Sequence, residues 1–237
     1  MTPALGRRLA AEFTGTGLLV AIVVGSGIFA TRLTADPALR LLINSLVTAL
    51  GLAVLILVFI AANGAQFNPV VTAADWLLRR RTAHSYGLGV AGAVILCQVV
   101  GAIGGSALAD AMFGVPALHA STHHRGGVPV LLGEVVATAG LLLVIVGLAR
   151  TDRMQHVAWA VGAWIGAAYW FTSATSFANP AVTIGRALTD TYAGIAPSSA
   201  PAFIAAQIVG GAVGTVLAVV LFPVRPGGGA EEAQLAG

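Results

Sequence analysis

The chain has 237 residues, of which 57% are hydrophobic and only 9% charged, and its mean hydropathy is +0.91. A soluble domain carries about a quarter charged residues, and one this apolar would expose patches large enough to precipitate it; the composition therefore points to an integral membrane protein. The net charge of +3 comes from arginine alone, because the sequence contains no lysine, and the placement of those arginines is explained by membrane topology rather than by nucleic acid.

Six apolar runs fall near residues 9–30, 40–61, 84–108, 129–149, 156–175 and 200–222, each about the length that crosses a ~30 Å hydrocarbon core as a helix. The first follows Arg7 and Arg8 but is full length and has no small-residue cleavage site, so it reads as a span rather than a cleaved leader. With the N-terminus in the cytoplasm, the cytoplasmic segments hold Arg7, Arg8, Arg79, Arg80, Arg81, Arg150, Arg153 and Arg225, against Arg32, Arg40 and Arg125 opposite. That asymmetry predicts both termini inside. The single cysteine, Cys97, excludes an internal disulfide.

The chain repeats itself. The segment from Ala11-Glu12 returns near Gly133-Glu134, Asn68-Pro69-Val70 returns as Asn179-Pro180-Ala181, and Gln98 returns as Gln207, in the same order at offsets of 122, 111 and 109 residues. Each half (about 5–110 and 129–223) holds three spans, an odd number, so the second half crosses the membrane upside down relative to the first. Residues 1–223 read as one domain and 224–237 as a disordered cytoplasmic tail.

Each Asn-Pro lies between the second and third span of its half. The stretches 68–78 and 179–189 are each about 16 Å long as helices, half the hydrocarbon thickness. They predict re-entrant half-helices that meet at the midplane. Asn is a favoured N-cap and Pro suits the first helical position. Capping uses the side-chain oxygen and leaves the NH₂ free to donate into a pore. Inversion turns the two positive helix ends toward each other. A neutral solute then passes between Asn68 and Asn179, while a proton chain is broken and cations are disfavoured. Glu12 and Glu134, near the starts of spans, are read as acceptors that hold the re-entrant loops rather than as proton-relay or catalytic groups.

These motifs, with Gly64-Ala65-Gln66-Phe67 and Thr72, resemble the major intrinsic protein (aquaporin) family over residues 5–223. The resemblance implies an all-α integral membrane fold of six transmembrane helices and two half-helices in a right-handed bundle. It further implies a homotetramer in the plasma (inner) membrane, with one pore per subunit.

The chain departs from the family pattern at the filter. Val182 stands where most members carry arginine after the second Asn-Pro-Ala, Val70 follows the first Asn-Pro in place of alanine, and Gln66 replaces a common histidine. By the family's spacing the other filter positions are Ala167, Ser176, and either Thr48 or Leu50. Lined this way, the opening is wider than a strict water filter and fits glycerol or the neutral hydroxides of arsenic and antimony, with some water. A water-selective pore is the alternative, and a secondary transporter the alternative of another class; an enzyme is not expected. Arg186 follows one turn after Val182; it is assigned either to the external mouth, repelling cations, or to an end-of-helix arginine bonded to carbonyls or lipid. His119, His123 and His124 in one loop do not read as a metal site, and no cofactor, metal or nucleic acid is expected.

Overall fold

The structure is a computed structural model that describes residues 3–62, 65–82 and 84–223; Gly64, Arg225 and the expected tail at 224–237 lie outside the described residues. Among the described residues the regular structure is entirely helical: α1 (Pro3–Leu33), α2 (Pro37–Phe59), α3 (Pro69–Arg79), α4 (Leu88–Phe113), α5 (Val128–Arg150), α6 (Val157–Phe171), α7 (Pro180–Arg186) and α8 (Ala200–Leu221). Five of these (α1, α2, α4, α5 and α8) are long and apolar enough to cross a membrane. The sixth expected span is α6, only 15 residues long, extended at its start by a short 3₁₀ turn over Met154–His156.

Local chemistry sets the element ends. Asp36 caps α2, its Oδ1 accepting from the amides of Ala38 and Leu39 ahead of Pro37 at the first helical position. The third span starts at Leu88 rather than 84, after Gly87, and runs on to Gly114, whose φ of +65° ends it in the left-handed cap that glycine supplies at low cost. The fifth span stops at Phe171 instead of 175, because residues 172–179 form the irregular loop ahead of Asn179. The second half-helix is shorter than the sequence suggests, closing at Arg186 rather than near 189. There the chain turns off, and the Thr189 hydroxyl donates to the buried Asp110 carboxylate.

The two halves pack alike: α1 lies along α4, and α5 along α8, as the most extensive helix pairs. Glycines permit both contacts. A side chain at Gly101 or Gly105 would strike the carbonyls of Phe13 or Gly17, and one at Gly210 or Gly214 those of Val135 or Ala139. Without a hydrophobic drive between helices in lipid, such close backbone approach is what holds them together. Gly104, beside Gly105 on α4, faces open space. Large apolar side chains such as Leu50, Val58, Leu96 and Val220 cover the outside, as a lipid-facing surface requires.

Candidate functional site

Asn68 and Asn179 sit at the starts of α3 and α7 in extended backbone, as residues before proline must. Asn68 Oδ1 accepts from the Val70 amide at 3.0 Å, and Asn179 Oδ1 from those of Ala181 at 3.0 Å and Val182 at 3.3 Å. The two side chains then cross over: Asn68 Nδ2 donates to the Ala178 carbonyl at 2.7 Å, and Asn179 Nδ2 to the Phe67 carbonyl at 2.6 Å. The sequence left both amide hydrogens free for a pore. Instead, one hydrogen of each NH₂ ties the halves together, and one remains for the lumen.

The carbonyls that receive these bonds belong to strained residues. Phe67 has φ +50° and Ala178 φ +48°, and Ala65, Thr175 and Ser176 share the left-handed region. Non-glycine residues reach it at a cost of about 1–3 kcal/mol each and keep it only where their surroundings fix it. Two buried carboxylates do the fixing. Glu12 accepts from the amides of Gln66 at 3.0 Å and Phe67 at 2.8 Å, and Glu134 from those of Phe177 at 2.8 Å and Ala178 at 2.9 Å. Behind them, Gln98 bridges Glu12 to Thr72 with both bonds at 2.8 Å, and Gln207 bridges Glu134 to Thr183 at 2.7 and 2.9 Å. The same three side chains recur in each half, and all six are fully buried.

A cavity of about 1140 Å³ passes these loops. Its wall runs from Arg8, Asp75, Arg79, His84 and Tyr86 at one end, past Asn68 and Asn179, to Thr48, Tyr169, Ser176, Val182 and Arg186. Apolar side chains such as Val23, Leu52, Val71, Leu142 and Ile165 line most of the length between. At the first end the Arg8 guanidinium lies 4.6 Å from the centre of the Tyr86 ring, and the Tyr86 hydroxyl donates to Asp75 at 2.9 Å. Asp75 also pairs with Arg79 at 2.5 Å. Burial pushes the Tyr86 phenol up from a range that already leaves it a donor at neutral pH.

The residues expected at the filter divide by whether they line this cavity. Ala167 is exposed on the outer face of α6, and the cavity-lining stripe of that helix is Val157, Val161, Ile165 and Tyr169, four residues apart. Two residues along a helix turn the side chain by about 200°, so a count that lands on 167 lands on the wrong face. Tyr169, 3% exposed, lines the cavity, and Ala167 does not. The same rotation decides between the α2 candidates: Thr48 is buried on the cavity wall, while Leu50 is 53% exposed. Ser176 and Val182 line the cavity, and Val70, Pro180 and Ala181 are buried around the centre. Arg186 is buried inside the wall beside Val182, with Nε donating to the Ala193 carbonyl, which excludes lipid phosphate as its partner. His123 Nε2 lies 3.8 Å from Asp190, and His124 Nδ1 3.4 Å from Ser198 Oγ.

The major intrinsic protein family model matches residues 1–156, about two thirds of the chain. The chain belongs to the major intrinsic protein family. It is 45% identical over 226 residues to "Aquaglyceroporin AqpS" of Rhizobium meliloti (strain 1021), covering 94% of this chain and 93% of that protein. It is 32% identical over 203 residues to "Aquaporin C" of Dictyostelium discoideum, covering 78% of this chain and 71% of that protein. In fold it matches the aquaglyceroporin from Plasmodium falciparum with a TM-score of 0.66 at 18% identity, over 90% of this chain and 95% of that one. Family membership makes this major intrinsic protein a multi-pass membrane channel and not an enzyme.

Proposed function

We propose that the chain is a passive channel for small uncharged solutes, chiefly glycerol and the neutral hydroxides of arsenic and antimony, with some water. The observation that carries this is the pair Asn68 and Asn179, one cap on each half-helix, on the wall of a single long cavity. A solute oxygen arriving there meets an amide hydrogen from each half, which breaks any donor–acceptor chain for protons. The facing helix ends, each worth about half a positive charge, disfavour cations. In this reading Pro69, Val70, Pro180 and Ala181 complete the central constriction, and Glu12 and Glu134 hold the loops that shape it.

The breadth of the substrate range rests on Val182, which adds neither charge nor donors where the family usually has arginine. The 45% identical relative named an aquaglyceroporin points the same way. Tyr169 and Arg186 line the same stretch as Val182, and this favours a second reading, in which they refill the opening and leave a water-selective pore. The family resemblance supports a homotetramer, and the arginine asymmetry supports an inner-membrane orientation with both termini cytoplasmic, the Arg186 end then facing outward.

Light-scattering swelling of proteoliposomes in water, glycerol, urea and arsenous acid tests the reading. Glycerol and arsenous acid flux well above protein-free vesicles is expected. Water flux alone would favour the second reading.

A further inference from the structure

We propose that Arg186 and Ser176 form a subsite for a small oxygen-bearing monoanion in the outer part of the pore, and that its occupancy slows the flux of neutral solutes. The inference rests on the reading above only in taking the cavity for the solute path.

Arg186 is 2% exposed and lies on the cavity wall. One of its five N–H donors, that on Nε, goes to the Ala193 carbonyl. The two Nη atoms, with four donors, have no protein acceptor among the described residues, and no carboxylate lies within ion-pair distance. The guanidinium carbon instead sits 3.4 Å from the centre of the Phe177 ring. Ring contact holds the group flat but supplies no acceptor. Arg125 also lies over the Phe177 ring, at 5.3 Å. Arg125 donates from Nε to Gly194 O at 2.9 Å and from Nη2 to Tyr192 O at 3.2 Å. One arginine is fixed by carbonyls; the other keeps its fork unused.

A second polar group lines the same cavity, next in sequence to the ring over which Arg186 lies. Ser176 Oγ is buried on this wall and has no hydrogen-bond partner, and its residue is held at φ +51° in the loop that Glu134 anchors. A buried hydroxyl without a partner is destabilising, and the Nη donors of Arg186 are likewise unmet by protein. A ligand with two or more acceptor oxygens relieves both at once. The guanidinium fork matches a planar carboxylate or trioxo anion. One guanidinium fork and one hydroxyl are matched by a monoanion of a few heavy atoms. Held there it stands in the path that a neutral solute follows from Tyr169 and Thr48 toward the two asparagines.

The probe is nitrate, which is planar, carries three acceptor oxygens, and has no neutral acid form at pH 7 to leak through lipid. Glycerol swelling is measured with nitrate or chloride at equal ionic strength, as a ratio within each variant, alongside calorimetric titration of nitrate into the detergent-purified protein. Glycerol flux several-fold lower in nitrate than in chloride is expected for the unmodified chain. The ratio should return toward one in Arg186→Gln, shift partway in Ser176→Ala, and be retained in part by Arg186→Lys. Nitrate heat that is equal in Arg186→Gln and the unmodified chain, or absent from both, overturns the proposal. Nitrate binding that depends on Arg186, in a protein showing no glycerol flux at all, upholds the subsite and overturns the solute reading instead.

Discussion

The Tyr169 hydroxyl, on α6, donates to Thr48 Oγ1, on α2, at 3.4 Å, and both side chains stand on the same stretch of cavity wall as Ser176 and Val182. Both are almost fully buried, so the contact spans the interface between two packed helices where lipid cannot reach. If this pair limits the opening, Tyr169→Ala widens it. The expected result is greater glycerol and urea flux with water flux changed much less. Tyr169→Phe, which keeps the ring and loses the 3.4 Å bond, should stay close to the unmodified chain. Equal effects of the two substitutions on urea flux would show that ring volume is not what sets the opening.

Val182→Arg restores a donor-rich side chain at the start of α7, four residues before a guanidinium that already lies in the wall. Crowding at the filter should then lower glycerol and arsenous acid flux by about tenfold, equivalent to ~1.4 kcal/mol of added barrier. Water, being smaller, should lose far less. Glycerol and arsenite fluxes that do not change would remove Val182 from the filter.

How much of this was legible in sequence depended on whether the signal was local. Asn-Pro caps declare themselves, since residue type and position alone specify a helix start. Glu12 and Glu134 were found because a carboxylate in an apolar span demands partners, and the repeat gave each a counterpart. The side of a helix was harder. Ala167 was reached by counting back across an irregular loop, where strained residues at 175, 176 and 178 alter the rise per residue. The spacing of Val157, Val161, Ile165 and Tyr169 within α6 carried the correct face, because intrahelical phase is rigid while loop length is not. The crossing of Asn68 and Asn179 onto each other's loops had no sequence signal. It joins residues 110 and 112 positions apart through backbone carbonyls, which every residue possesses.

The connections outside the helices contain a pH-sensitive clasp. Asp190 Oδ1 accepts from the Thr122 amide at 2.7 Å and the Thr122 hydroxyl at 3.0 Å, and these bonds hold its carboxyl below the usual range. His123 and, more weakly, His119 are the titratable groups that face it, and when protonated they act in the same direction. A carboxylate whose pKa is lower folded than unfolded contributes stability above its ordinary pKa of about 3.9 and loses it as pH falls through the depressed value. Protection of the Thr122 amide from hydrogen exchange should therefore hold from neutral pH down to about pH 4 and decline only below that. In Asp190→Asn the acid-dependent decline should disappear. A decline in Asp190→Asn over the same acid range as in the unmodified chain would remove Asp190 from control.

Glu134 offers the sharpest test of the fold around the site. Its two oxygens accept from Phe177 N, Ala178 N and Gln207 Nε2 at 2.8, 2.9 and 2.7 Å. Glu134→Gln keeps the shape but turns one acceptor into an NH₂ group. Whichever way the amide turns, it faces an N–H: that of Phe177, or that of Ala178 together with Gln207. One or two buried donors are left unmade, each costing about 1–3 kcal/mol, and the strain at Thr175, Ser176 and Ala178 loses its anchor. Thermal unfolding of the detergent-solubilised protein should shift down sharply. Glu12→Gln should do the same, because Gln66 N, Phe67 N and Gln98 Nε2 meet Glu12 at 3.0, 2.8 and 2.8 Å in the matching arrangement. Unchanged melting in both variants, with altered solute flux, would mean that these carboxylates act on the permeating solute and not on the loops.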